Sequence, residues 1–191
     1  TTTPTCEHAL RNVWDNTFSF GNMNDLQPIP SRNLELGNGQ ELAKLNMINS
    51  GHGWGDNNTS NAAEFYEATH NVKVDGSTAY NHHLWNDCNP NPAACSPQNG
   101  TWFFDRAGWC PGALVPIASF DLTDYLSGSI DLHYEFFPGY VDLCNLANPN
   151  CISGSTCPDC ADGFNPHYVI DAHLVTYSNM PLENAVTNVP E

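Results

Sequence analysis

The chain has 191 residues and a formal charge of -16, from 21 Asp and Glu against 5 Lys and Arg. That balance argues against nucleic acid and anionic membrane as partners. Only 14% of residues are charged, so the polar surface must come from Asn, Ser, Thr and Gly, and the length suffices for one domain with a real core.

Eight cysteines (Cys6, Cys88, Cys95, Cys110, Cys144, Cys151, Cys157, Cys160) in a Gly- and Pro-rich chain favour disulfides and an oxidising compartment. A secreted or extracellular-surface location follows as an expectation. The spacing leaves the connectivity open. A zinc site from Cys144, Cys151, Cys157 and Cys160 is the alternative, weakened because only Cys157-Pro158-Asp159-Cys160 has a tight ligand spacing. No apolar run reaches the length of a membrane span, so no membrane insertion is expected.

Residues 1–41 resist assignment and read as an irregular lead-in, with Phe18 and Phe20 alternating and Pro28 and Pro30 as breaks. Gly37-Asn38-Gly39 marks a turn. Leu42–Asn49 reads as a strand that runs into the glycine-rich loop Ser50-Gly51-His52-Gly53-Trp54-Gly55. Asp56–Ala63 is a polar loop, and Glu64–His70 is a helical turn or a strand. Val72-Lys73-Val74 is a short strand closed by the hairpin signal Asp75-Gly76, with Tyr80, His82 and Leu84 alternating beyond it. Asn86–Asn99 is a loop, and Trp102–Phe104 reads as a further short strand. Ala113–Asp121 is extended, with Pro116 placing it at an edge or bulge.

Ile130, Leu132, Tyr134 and Phe136 give the cleanest period of two in the chain. Cys144–Asp162 is a cysteine-rich loop too long to be unstapled. Tyr168, Ile170, Ala172 and Leu174 alternate again, and residues 181–191 read as an exit tail. Short strands between turn-rich loops predict an all-β, antiparallel two-sheet jelly-roll sandwich, disulfide-stapled, in a single domain over residues 1–191.

Arg106 is the only Lys or Arg from residue 74 to the C-terminus. A guanidinium stays charged and offers five donors in a planar fork, so it calls for a carboxylate or a ligand. Gly51-His52-Gly53-Trp54, Glu64 and Trp109 add an imidazole, a carboxylate and two tryptophans on loops. Aromatic faces with carboxylates suit a sugar-handling site. The alternative is that Glu64 pairs with Arg106 and the tryptophans fill core.

His82 and His83 are adjacent and would face opposite sides of a strand, and His52, His70, His133, His167 and His173 are scattered. No His-x-His or His-xxx-His spacing occurs, so no metal site is expected. The acidic, Asn-rich loops at Asp56-Asn57-Asn58 and Asp159–Asp162 read as solvated rather than calcium-binding. No phosphate loop, nucleophile elbow or dinucleotide fingerprint is present, and no cofactor is expected.

The ordered strings Ser50-Gly51-His52-Gly53, Ala63-Glu64-Phe65, His70, Val72–Gly76, Trp85, Cys88, Gly100-Thr101-Trp102 and Asp105–Gly112 (DRAGWCPG) resemble the C-terminal domain family of peptide-N-glycosidase F. The resemblance implies a jelly roll with its site at one edge, facing a second jelly roll that precedes it and carries the principal catalytic aspartate. It implies hydrolysis of the amide that joins asparagine to N-acetylglucosamine, with an N-linked glycan or glycoprotein as partner. On that pattern Glu64 and Arg106 are the catalytic pair, and His52, Trp54 and Trp109 border the substrate. Cys88 and Cys110 would form a disulfide that pins the Arg106 loop. Ala62 and Tyr66 stand where the family has two disulfide-forming cysteines. A non-catalytic extracellular module, glycan-binding, adhesive or built from like subunits into a surface filament, is the alternative.

Overall fold

In a computed structural model, described over residues 6–36, 39–55, 59–126, 128–151, 155, 160 and 165–179, the chain forms two antiparallel sheets. The strands are β1 (Cys6–Ser19), β2 (Arg32–Glu35), β3 (Leu42–His52), β4 (Ala68–Val74), β5 (Ser77–Leu84), β6 (Ala118–Asp121), β7 (Ser129–Glu135) and β8 (His167–Ser178). One sheet has the order β1-β8-β3-β6 and the other β2-β7-β4-β5. This is the jelly-roll arrangement, with the early and late strands of the chain interleaved in both sheets.

Alternation builds the core. Ala43, Leu45 and Met47 of β3, Ile130, Leu132 and Tyr134 of β7, and Tyr168, Ile170, Ala172 and Leu174 of β8 all point inward and are at most 3% exposed. Trp14, Phe20 and Phe136 join them, and the Phe20 ring stacks on Tyr140 with centroids 4.4 Å apart. The Asp75-Gly76 hairpin joins β4 to β5, with φ of 50° and 77° at the two turn residues. Pro116 precedes β6, which lies at a sheet edge.

Three sequence expectations need correction, and the expected staple of the cysteine-rich loop is present. The described residues within 1–41 are no irregular lead-in, because they carry β1 and β2. One residue of β1 is skipped against β8 between Glu7 and Ala9, and another between Asn12 and Trp14. Val13 and Trp14 are consequently buried in succession, which erases the period of two. The strand at 42–49 continues to His52, and the stretch at 64–70 becomes β4 only from Ala68. Trp102–Phe104 forms a turn instead of a strand, with the Phe104 N–H donating to the Thr101 carbonyl at 3.2 Å. Cys144 and Cys160 are joined as a disulfide, which staples the cysteine-rich loop and removes two of the four thiols the zinc alternative needs. The turn at 37–38, the acidic residues Asp56, Asp159 and Asp162, Cys157 and the tail at 181–191 lie outside the described residues.

One cluster of polar side chains is buried within this core around Asn49 and His70. Asn49 Nδ2 donates to the Tyr134 hydroxyl at 3.0 Å, and that hydroxyl lies 2.8 Å from His82 Nδ1. His70 is fully buried, and its Nδ1 accepts the Phe137 N–H at 3.0 Å. Burial, with a smaller contribution from His82, takes the His70 pKa down to about 3. Burial, and then His83, takes His82 down to about 4. Both rings are therefore neutral in the folded chain at pH values where an unfolded histidine, titrating near about 6.5, is charged. The unfolded state binds the extra protons, so this stability is complete above about pH 6.5 and falls as the pH drops towards 4. Urea unfolding is expected to show a loss of up to about 2 kcal/mol per histidine between about pH 7 and pH 5. His82→Gln should flatten the slope; equal stability of the unsubstituted chain at both pH values would count against buried neutral rings.

Candidate functional site

Three backbone segments meet at the end of the first sheet. The Gly51 N–H donates to the Ala107 carbonyl at 2.9 Å, and the Glu64 N–H donates to the Gly53 carbonyl at 3.0 Å. The Ala107 N–H donates to the Glu64 carbonyl at 2.9 Å, so both peptide faces of Glu64 are fixed. Such close approach needs glycine at 51, where a Cβ would lie 2.6 Å from the Ala63 oxygen and 2.8 Å from the Ala107 methyl. Ala62 is fully buried and Tyr66 packs on Phe20 and Tyr140, with centroids 6.0 and 4.8 Å away. The Tyr140 hydroxyl donates to the Thr59 carbonyl at 2.9 Å. Aromatic packing and hydrogen bonds thus hold the Glu64 loop.

Arg106 and Glu64 form a buried ion pair, Nε to Oε1 at 2.8 Å, with side chains 3% and 15% exposed. The rest of the guanidinium turns back on its own loop. Nη1 donates to the carbonyls of Phe104 at 2.7 Å and Trp102 at 3.5 Å, and Nη2 to the Thr101 carbonyl at 2.8 Å and hydroxyl at 2.9 Å. Every N–H of the fork is engaged. Its flat faces lie 4.9 Å from the Phe65 ring and 5.1 Å from the Trp109 ring. No described donor reaches the second carboxylate oxygen of Glu64.

Trp109 is equally committed. Its indole N–H donates to the Gly51 carbonyl at 2.9 Å, and its ring lies 5.4 Å from that of His52. His52 sits opposite His167 across β3 and β8, with ring centroids 5.7 Å apart, and its Nε2 lies 2.8 Å from the Ser50 hydroxyl. Burial and His167 lower the His52 pKa, and Glu64 offsets part of that. Glu64, Arg106, Trp109 and His52 therefore form one contiguous chain of contacts.

Trp54, half exposed, lines a cleft of ≈ 510 Å³. The other walls are Phe65, Trp85 and Phe104, with Asn61, Thr101 and Asp105 as the polar lining. The volume falls within the range of ligand clefts, roughly 300–1,000 Å³. Arg106 lies behind the Phe65 wall. Asp105 does not pair with its neighbour Arg106. Its Oδ1 accepts the N–H of Cys88 at 2.9 Å, and Cys88 is disulfide-bonded to Cys110 with an S–S length of 2.02 Å. Sequence reasoning gave Trp85, Phe65, Phe104, Asn61, Thr101 and Asp105 no role, although Phe65, Trp85, Thr101 and Asp105 stand in the strings that carry the resemblance and Phe104 in the aromatic run beside the lone arginine.

Among the described residues, one group of three or more His, Cys, Asp or Glu has its ligand atoms within 4.8 Å of one another: Cys144, Cys151 and Cys160. Two of those sulfurs are the disulfide already described. No described helix is long and apolar enough to cross a membrane.

Comparison with known proteins bears on this arrangement. Residues 20–158 match the family described as peptide-N-glycosidase F, C terminal. A peptide-N(4)-(N-acetyl-β-D-glucosaminyl)asparagine amidase F of Elizabethkingia miricola is 33% identical in an alignment of 111 residues that covers 55% of this chain and 30% of that protein. A solved peptide-N(4)-(N-acetyl-β-D-glucosaminyl)asparagine amidase superposes with a TM-score of 0.71 at 24% identity, over 95% of this chain and 55% of its own. A glycosylasparaginase structure from Flavobacterium meningosepticum gives 0.69 at 24%, over 91% and 53%. The chain thus spans about half the length of the solved relatives and under a third of the curated one. At these identities the solved structures speak for the fold.

Proposed function

Because the chain belongs to the peptide-N-glycosidase F C-terminal family, we propose that it is a secreted, glycan-directed module that engages the asparagine–N-acetylglucosamine linkage of glycoproteins. One observation carries the reading: Arg106 fixes one oxygen of Glu64, and the other oxygen takes no described donor, beside a cleft walled by four aromatic rings. Hydrolysis at that linkage adds water across the amide. The C–N bond breaks, the asparagine side chain becomes a carboxylate, and the nitrogen leaves with the sugar as a glycosylamine. A base must activate the water and an acid must protonate the leaving nitrogen. Glu64 can take one of these tasks, and we assign the other to a further jelly-roll domain or a like subunit that faces the cleft.

The test is binding of an asparagine-linked glycopeptide against the same peptide without its glycan. A preference of about tenfold, some 1.4 kcal/mol, is expected. Equal binding would remove the glycan-directed reading. Conversion of asparagine to aspartate by these 191 residues alone, followed by mass, would remove the half-site reading. The second reading, a non-catalytic glycan-binding, adhesive or filament-forming module, draws on the engagement of every Arg106 N–H within the protein. It requires that glycopeptide binding survive Glu64→Gln and that no assembly of the chain hydrolyse the linkage.

A further inference from the structure

We propose that Asp105 is the sugar-recognising carboxylate of the cleft, set among the rings of Trp54, Phe65, Trp85 and Phe104. The proposal rests on the glycan-directed reading and names the part of the surface that does the recognising.

The polar groups of the site divide cleanly. Glu64 and Arg106 are absent from the cleft lining, and the guanidinium has no N–H left to offer. Asp105 lines the cleft with one oxygen held by the Cys88 N–H. An ionised carboxylate is an acceptor only, with two oxygens and about four lone-pair sites, so the oxygen left over is suited to hydroxyl or acetamido N–H donors of a sugar. Asn61 and Thr101 supply side chains that both donate and accept. The aromatic walls match the apolar C–H faces of a pyranose, and few polar groups among apolar walls is the usual composition of a small-molecule site.

Backbone geometry agrees. Ser60 and Asn61 are successive non-glycine residues with φ of 53° and 56°. Such conformations persist where the surroundings over-determine them. Here the turn ends in Ala62, whose N–H donates to the Thr59 carbonyl at 3.0 Å, and it delivers Asn61 to the cleft. Asp105 is fixed in a parallel way by the disulfide segment, so the two polar side chains approach from opposite sides of the sequence on anchored backbone.

The experiment titrates the chain with N,N′-diacetylchitobiose and follows tryptophan fluorescence and backbone amide shifts. The unsubstituted chain is expected to bind, with shifts centred on Asn61, Trp85, Thr101 and Asp105. Asp105→Asn keeps an oxygen for the Cys88 N–H and replaces the free acceptor with a donor, so affinity is expected to fall about tenfold or more with an unchanged melting temperature. Trp54→Ala, on a half-exposed side chain, is expected to weaken binding similarly. Unaltered affinity in Asp105→Asn overturns the role of Asp105 and leaves the glycan reading standing. Should that variant fail to fold, shifts centred away from the cleft in the unsubstituted chain overturn the proposal instead. Glycopeptide binding without disaccharide binding also overturns it. Loss of glycan preference for both probes overturns the glycan reading and the proposal together.

Discussion

Gly108→Ala is expected to lower the unfolding free energy by about 3–5 kcal/mol, among the largest effects a single methyl can have. Gly108 has a φ of +84°, which costs a residue with a side chain about 1–2 kcal/mol. The larger part is steric. A Cβ at this position would lie 2.1 Å from the Asn49 backbone oxygen and 2.9 Å from Leu84 Cδ1. The oxygen belongs to β3 in the middle of its sheet, so it has no room to yield. Gly100→Ala separates the two contributions, because Gly100 has a φ of +78° and open space where its Cβ would be. That variant should lose only the conformational share, about 1–2 kcal/mol. Similar urea midpoints for the two variants would refute a steric origin.

Arg106→Lys is expected to cost about 3 kcal/mol or more, although charge is conserved. The guanidinium satisfies Glu64, three backbone carbonyls and a hydroxyl at once. An ammonium carries three donors from a single point and cannot span that set. Each buried acceptor left unpaired costs about 1–3 kcal/mol. Phe104 is a wall of the cleft, so the substitution should also weaken disaccharide binding through displaced aromatic rings. Thr101→Val is the control, since it removes one neutral acceptor of Nη2 and leaves the Glu64 charge and the carbonyls in place, and the loss should be near about 1 kcal/mol. If Thr101→Val destabilises as much as Arg106→Lys, the loop-clamping role of the guanidinium is wrong.

The strands with strict alternation, β7 and β8, are legible in the sequence because one face of each meets the opposing sheet without interruption. β1 is hidden because two extra residues shift its phase, and β2 because four residues hold too little pattern. At the site, the isolation of Arg106 signals a special cation. The direction it faces is silent in sequence, since three of its acceptors are backbone carbonyls, which every residue carries. The same bonds explain why Trp102–Phe104 turns despite a strand-like composition. The cleft is hidden for a related reason: Trp85, Phe65 and Phe104 are obvious as aromatic residues, but which aromatic rings stay out of the core depends on how the loops cross.

The phase shifts of β1 have a consequence for solubility. β1 is a 14-residue strand at the edge of its sheet, long enough to template pairing with another copy. Its skipped residues break the even row of amides that an incoming strand would need. At the second break the Val13 carbonyl, turned out of the ladder, accepts the Nε–H of Arg32 at 2.9 Å, and the neighbouring Arg11 donates Nη1 to the Glu35 carbonyl at 3.2 Å. Two of the chain's few cations thus tie this open edge to the segment of β2, and the feature that conceals the strand also makes the edge a poor template for strand addition.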